Sequence, residues 1–239
     1  MGVKAFTFVR RKPGMEPEEF HRYWRDVHAA RIAGTPALRR HVRRYELNHR
    51  LAEDYQRDRE QGEVADTGFD GVAVLWFDSV EAFDAWRAEP AVAELTVEDM
   101  PKFCDDTRLF VLTRDPDVIV DTPRRSEAQA KMLCILRRNP ALDLDTFHDH
   151  WLRHHGGLFQ TIPELNEPLL GYDQNHGIPQ PDARFDGVTE QWFESLDTFA
   201  ASLGAEAHAT VVGPDVVYML DPTSIHYVMA GPPTVVIDG

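Results

Sequence analysis

The sequence predicts an α+β protein made of two copies of one βαββαβ unit. Three observations predict it. A helical signature, Phe20–Trp24–His28, returns as Phe147–Trp151–His155 with the same spacing. Two strand signatures also return: Tyr45-Glu46-Leu47-Asn48-His49 is answered by Tyr172-Asp173-Gln174-Asn175-His176, and Phe69-Asp70-Gly71-Val72 by Phe185-Asp186-Gly187-Val188. The 239 residues suffice for two units of about 110–120 residues, each able to bury a core.

Lys4 to Arg11 is rich in aromatic and apolar residues and reads as a first strand, stopped by Lys12-Pro13-Gly14. Glu16 is placed to cap the next helix, with Pro17 at its first position. Within that helix Phe20, Trp24 and His28 are four apart and share a face, so two aromatics stack and end in an imidazole. Gly34-Thr35-Pro36 ends it. Val42 to His49 is a second strand. Leu51 to Gly68 is strongly charged and reads as an exposed loop with one helical turn, an insertion in the first copy. Asp70 to Phe77 is a third, almost wholly apolar strand. Ser79 caps a helix over Val80 to Arg87, with Val80, Phe83 and Trp86 inward. Pro90 to Phe103 reads as irregular with some helix, and Arg108 to Thr113 as a fourth strand. Asp115 to Glu127, polar and carrying Pro116 and Pro123, reads as a linker.

The order then repeats. Lys131 to Arg138 matches the first strand, and Asp143 is a better N-cap than Glu16. The long helix runs to about Phe159, Trp192-Phe193 matches Trp76-Phe77, and Ser195 matches Ser79. Ile225 to Met229 is the last strand. The tail after Gly231-Pro232-Pro233 is expected to pack across the partner repeat. A βαββαβ order gives an antiparallel four-stranded sheet with both helices on one face, the ferredoxin-like unit. The expected domains are residues 1–120 and 128–239.

Composition narrows the function. Forty-three per cent hydrophobic residues fits a globular chain. A formal charge of −15 makes nucleic acid or an anionic membrane an unfavourable partner. No apolar run reaches the roughly 18 residues of a membrane span, and the start of the chain lacks a signal-peptide core. Two cysteines, Cys104 and Cys134, are too few for a disulfide framework. The expectation is a cytoplasmic protein.

Phe-x-x-x-Trp-x-x-x-His, followed by Pro36-Ala37-Leu38 or Pro163-Glu164-Leu165 and then by Tyr-x-x-Asn-His, resembles the EthD family. The opening Phe8-Val9-Arg10-Arg11-Lys12-Pro13-Gly14 resembles that family's first strand and turn. The resemblance covers nearly the whole chain as two tandem copies. It implies the dimeric α/β-barrel superfamily, here with both halves in one chain; whether the fused repeats pair again as a homodimer is left open by the sequence. Similar barrels include polyketide cyclases and decarboxylases, cofactor-free monooxygenases, lactone isomerases and haem enzymes. Carried over, the motif positions are Trp24, His28 and His49 in the first copy, and Trp151, His155 and His176 in the second.

Differences between the copies point to a site. Leu47 becomes Gln174, Leu75 becomes Gln191, Val74 becomes Glu190, and Phe110 is paired with His226. A buried unpaired polar group costs roughly 1–3 kcal/mol, so such groups gather where they have partners or a ligand. The expected pocket lies over the second sheet, lined by Gln174, Gln191 and His226. Imidazole moves protons near neutral pH, which makes His155, His226, His176 and His28 the catalytic candidates. Glu190, Trp151, Trp24 and His49 join the glutamines as substrate-binding candidates. Structural roles pinning helix to sheet are the competing reading of these histidines. His150 and His154, four apart, have metal-ligand spacing, but no Cys or carboxylate in the sequence pattern completes a set, so no metal is expected.

The leading functional expectation is an enzyme without a nucleotide cofactor. It would hold a small aromatic or polyketide-like molecule and use histidine to move a proton in cyclisation, dehydration or decarboxylation, a lyase-type reaction. The alternatives are an oxidoreductase, cofactor-free or haem-bound through His226 or His155, and a non-catalytic small-molecule carrier. No cofactor is expected in the leading reading.

Overall fold

Strand and helix order in each copy follow the predicted sequence of elements, with one strand added to each sheet. The computed structural model describes residues 2–55 and 68–239. The chain divides into two units, Met1–Asp115 with Pro233–Gly239, and Pro116–Pro232. The first unit contains β1 (Val3–Val9), α1 (residues 17–34), β2 (Arg44–His49), β3 (Gly71–Phe77), α2 (Val80–Arg87), α3 (residues 90–103) and β4 (Leu109–Arg114). The second contains β5 (Asp117–Asp121), β6 (Ala130–Leu136), α4 (residues 144–161), β7 (Leu169–His176), β8 (Gly187–Phe193), α5 (Leu196–Leu203), α6 (residues 208–219) and β9 (His226–Ala230). The last strand, β10 (Thr234–Asp238), belongs to the first unit.

Both sheets have five antiparallel strands, ordered β10-β2-β3-β1-β4 and β5-β7-β8-β6-β9. The expected four-stranded ferredoxin-like core is present in each. The fifth strand is contributed by the segment that follows the other repeat. Thr234 pairs with Leu47 of β2, as the expected packing of the tail requires. The segment expected to be a linker instead holds β5, with Asp117 opposite Gln174. Its Val118-Ile119-Val120 run is β-branched, which favours a strand, and a short strand flanked by aspartates suits a sheet edge.

Local chemistry explains the helices. Ser79 and Ser195 cap α2 and α5, accepting from Ala82 N at 3.3 Å and Thr198 N at 3.1 Å. Asp143 caps α4, accepting from Thr146 N at 2.7 Å. Glu16 makes no side-chain cap bond, and Pro17 alone supplies the start of α1. The stretch expected to be irregular, residues 90–103, is helical throughout. Its prolines misled the reading: Pro90 and Pro101 each open a helical segment, where the missing N–H leaves little unsatisfied. Residues 52–55 form the expected helical turn, and the rest of the loop expectation falls on residues 56–67, outside the described residues.

The repeated signature is the centre of each unit. Phe20 and Trp24, and likewise Phe147 and Trp151, are fully buried, and His28 and His155 are buried behind them. In both helices the backbone widens to a π turn from the tryptophan onward, Trp24–Ala29 and Trp151–His155. Such turns use i→i+5 bonds and recur at functional sites. Each indole lies on a glycine: a Cβ on Gly71 would meet Trp24 Cζ3 at 2.4 Å, and one on Gly187 would meet Trp151 Cζ3 at 2.5 Å. The neighbouring aspartates anchor the β1–α1 and β6–α4 turns. Asp70 accepts from Arg11 N at 2.7 Å and Asp186 from Arg138 N at 2.8 Å, and each also pairs with that arginine's guanidinium.

Candidate active site

The second sheet turns alternate side chains toward its helices. Met132, Cys134 and Leu136 of β6 share that face with Thr189, Gln191 and Phe193 of β8 and Tyr227 of β9. Above them stand His155 and Phe159 of α4, Phe199, Ser202 and Leu203 of α5, and His208, Val212, Val216 and Met219 of α6. Together these residues enclose a cavity of about 230 Å³. Leu203 and Tyr227 are half exposed and mark its edge.

The reason for the space is visible in the first repeat. Trp86 occupies the α2 position equivalent to Ser202 on α5, and packs on Phe77 and Phe83 at 5.6 and 6.4 Å between ring centroids. Phe103 occupies the position of Met219 and contacts the rings of Phe20, Tyr23 and His28. Replacing an indole by a hydroxymethyl and a phenyl by a thioether opens the second unit. Leu75 gives way to Gln191 and Val92 to His208, so polar groups enter where room appears.

His155 is the imidazole of this cavity with a buried carboxylate partner. Its Nδ1 lies 2.7 Å from Oδ2 of Asp215, a buried carboxylate on α6. Burial alone would raise the Asp215 carboxyl; the hydrogen bonds and charge of His155 and His150 outweigh it and hold the group below the usual carboxylate range. An ionised Asp215 accepts the Nδ1 proton, which fixes the tautomer and leaves Nε2 as the basic nitrogen. A carboxylate in that position also stabilises the imidazolium formed on taking a proton. Burial, then the nearby His155, pushes the His208 pKa down from the ordinary imidazole value. Cys134 is pushed up to about 12 by burial and is no nucleophile at neutral pH. The cavity therefore offers one imidazole held at Nδ1, a second imidazole, the Gln191 amide and the Thr189 and Ser202 hydroxyls against apolar walls.

The first repeat has the same pair. His28 Nδ1 lies 2.7 Å from Asp99 Oδ2, and Tyr23 donates to Asp99 Oδ1 at 2.8 Å. Burial lowers the pKa of His28 against the opposing pull of Asp99. Here the Phe103 ring, 4.9 Å away, covers the imidazole.

The structure brings His155 and Gln191 of the predicted set together in the cavity and places the others elsewhere. Gln174 is fully buried beneath α4, donating to Trp151 O at 2.8 Å and lying 3.0 Å from Tyr172 Oη. It secures the π turn and does not line the cavity. Glu190 lies on the opposite face of β8, paired with Lys131 at 2.6 Å and accepting from Asn175 at 3.0 Å. His226 is exposed at the start of β9. The strand registers, Thr7 with Phe110 and Cys134 with Tyr227, make Tyr227 the counterpart of Phe110. The pairing of Phe110 with His226 was off by one residue, and in a strand one residue reverses the face. His49 and His176 pack against the Trp24 and Trp151 rings at 5.0 and 4.5 Å, and both tryptophans are core.

The sequence offers His208 only as a neighbour of the His150–His154 pair, and the structure sets it in the cavity wall. Asp215 was not picked out from the sequence. Asp215 left a signal: it is the single charged residue between Val211 and Leu220, and Asp99 precedes the fourth strand by a similar distance.

As a site for haem the cavity is small. A 150 Å³ apolar void accommodates benzene, and drug-sized ligands take roughly 300–1,000 Å³, so about 230 Å³ suits a molecule of one to three rings. The lining also lacks a Lys or Arg to pair with propionates.

Among the described residues no helix is long and apolar enough to cross a membrane. Comparison with solved structures finds similar folds over nearly the whole chain. An anthrone oxidase-like protein is 8% identical with a TM-score of 0.66, covering 98% of this chain and 93% of its own. Chlorite dismutase from Candidatus Nitrospira defluvii, in complex with imidazole, is 10% identical with a TM-score of 0.53, covering 97% and 91%. A candidate monooxygenase from Lactobacillus acidophilus NCFM is 10% identical with a TM-score of 0.52, covering 100% and 97%. At these identities the likeness is one of fold, the α+β class of the dimeric α/β-barrel proteins. A search of curated proteins found no match. The family model described as EthD domain matches residues 12–107 and 139–223. Two tandem matches over most of the sequence, on the two units that carry the repeated Phe–Trp–His signature, make this chain a member of the EthD family.

Proposed function

We propose that the cavity of the second repeat is the active site of a cofactor-independent enzyme acting on a small aromatic phenol, enol or β-keto compound. The observation that carries this reading is His155: an imidazole in an apolar cavity, with Nδ1 held by buried Asp215 at 2.7 Å. Nε2 takes the acidic proton of the substrate, and the Asp215 carboxylate stabilises the imidazolium. Gln191 and Thr189 offer hydrogen bonds to the substrate oxygen on which charge develops. The dry walls strengthen these contacts relative to water. The resulting enolate can attack a second carbonyl in cyclisation or expel a β-hydroxyl in dehydration; in decarboxylation the carboxylate first loses CO2, which leaves the enolate, and the His155 imidazolium returns the proton to carbon.

A second reading has support from the comparisons. The fold neighbours include an anthrone oxidase-like protein and a candidate monooxygenase. An anthrone loses a proton from its methylene carbon, and the carbanion reacts with molecular oxygen without a metal. In this reading His155 performs the same proton abstraction and oxygen captures the product.

Both readings share their first step, and that step is the test. Deuterium exchange from solvent into the methylene of anthrone is followed by NMR under nitrogen. The wild-type chain is expected to accelerate exchange, with His155→Gln losing 10²–10⁴-fold of that acceleration and Asp215→Asn losing part of it. Equal exchange with wild type and His155→Gln would remove His155 as the base. Admitting oxygen then separates the readings: quinone formation by the wild type supports oxidation.

A further inference from the structure

The far side of the Asp215 carboxylate carries a second cluster. His150 and His154 lie one turn apart on α4, their rings 4.7 Å between centroids. His150 Nε2 is 2.6 Å from Asp215 Oδ1, and His154 Nε2 is 3.5 Å from the same oxygen. All three donor atoms lie within 4.8 Å of one another. Asp215 is buried, His150 is half-buried and His154 is exposed, so the cluster faces solvent on one side. It opens on a groove bordered by Asp145, Tyr218 and the Asp149–Arg153 ion pair.

This geometry is close to that of a bound metal. Zinc takes nitrogen and oxygen ligands at about 2.0–2.2 Å in a tetrahedron, which sets neighbouring ligand atoms roughly 3.3–3.5 Å apart. His154 and Asp215 already stand at that separation. His150 Nε2, 2.6 Å from Asp215 Oδ1, has to move outward to reach it, trading its hydrogen bond for a coordinate bond.

The first repeat provides an internal comparison. At the positions of His150 and His154 it has Tyr23 and Val27, which offer no imidazole. Beside its Asp99, at 3.7 Å, stands Lys102, where the second repeat has Tyr218. Around one equivalent carboxylate the second repeat has gained two imidazoles and has no lysine. A hydrogen bond to the carboxylate alone would need only one of those changes, since Tyr23 already makes it in the first repeat.

We infer that His150, His154 and Asp215 form a binding site for a divalent transition-metal ion of the zinc class, completed by water from the groove. Two imidazoles and a carboxylate with an open position is the ligand set of that class. Asp215 then bridges, with Oδ1 on the metal and Oδ2 on His155, so the ion sits one carboxylate away from the cavity base. The site does not depend on the proton-transfer reading, because His150 and His154 lie outside the cavity.

The test uses the full, untagged, chelator-stripped chain. Cobalt(II) is titrated in and followed by its visible absorption, then displaced with zinc(II), with stoichiometry read by calorimetry. One ion per chain is expected, with the intense visible bands of a four-coordinate cobalt site. His154→Val, at an exposed position that leaves the fold intact, is expected to weaken zinc at least tenfold. His150→Tyr with His154→Val, the side chains of the first repeat, is expected to abolish the cobalt bands. Retention of the bands and of wild-type zinc affinity in His154→Val would overturn the site. So would binding no tighter than that of the double variant, which would mark an adventitious ion only.

Discussion

Ser202 and Met219 stand where the first repeat carries Trp86 and Phe103, and returning those two side chains to the second repeat should close its cavity. A residual cavity costs roughly 24 cal/mol per Å³, so about 230 Å³ corresponds to a ceiling of about 5–6 kcal/mol for perfect filling. Imperfect fit costs about 1–3 kcal/mol of overpacking. The expected net change for Ser202→Trp with Met219→Phe is a gain of at most roughly 2–5 kcal/mol, or up to about 10–20 °C in melting temperature for a chain of this size. Calorimetric melting measures that change, and titration with 2-naphthol measures access to the cavity. Wild type is expected to bind the naphthol and the filled variant to lose at least tenfold in affinity while remaining folded. Two results would refute the reasoning. A stability loss well beyond about 3 kcal/mol would mean these side chains do not border usable space. Undiminished binding in a folded variant would place the ligand elsewhere.

Two further outcomes follow from the fold. Gly187→Ala is expected to lose about 3 kcal/mol, because its Cβ would fall 2.5 Å from the Trp151 ring and 2.8 Å from the Asn175 carbonyl oxygen. Gly157→Ala, with nothing within 4 Å, is the control and should gain slightly from helix propensity; urea unfolding of both variants checks the pair. Acid should also weaken the first unit. Burial, then neighbouring charge, lowers His21 to about 4 and His49 to about 3, and their Nδ1 atoms are 2.9 Å apart. Both stay neutral in the folded chain while the unfolded chain protonates them below about 6.5. Their contribution is intact above that pH and is lost as pH falls toward about 4 and about 3, by about 2 kcal/mol per group at pH 5. Urea titrations at pH 7 and pH 5 should show this loss, and His49→Gln should reduce it; an unchanged pH dependence in that variant would contradict the assignment.

Periodicity made the fold legible because each side chain that defines it is repeated. Phe, Trp and His at four-residue spacing, and Asp-Gly under each indole, place the helix on the sheet twice in one sequence. The fifth strands were harder to read, since β5 is five residues long and its pairing is set by a distant strand rather than by its own pattern. Prolines at the starts of the helical segments in residues 90–103 imitated a break. At the site, Gln191 could be found by asking where apolar positions of one copy become polar in the other, and His155 through the repeated Phe–Trp–His spacing. Gln174 passed the same test for another reason: the π turn presents the Trp151 carbonyl, and Gln174 answers it. His226 was misplaced by a single residue of register. Asp215 could not be assigned a role from spacing alone, because its partner lies on another helix and only the folded chain brings His155, His150 and His154 to one carboxylate.

The most direct test of the account is a nitrogen-15 histidine spectrum of the full chain, recorded while 2-naphthol is added, with His155→Gln used to assign the resonance. His155 is expected as the Nδ1–H tautomer, with its Nε2 signal moving on addition and the Gln191 side-chain amide shifting with it, while His28, under Phe103, stays in place. A His155 signal unmoved at saturating naphthol, or a response confined to the first repeat, would contradict the assignment of the second-repeat cavity as the active site.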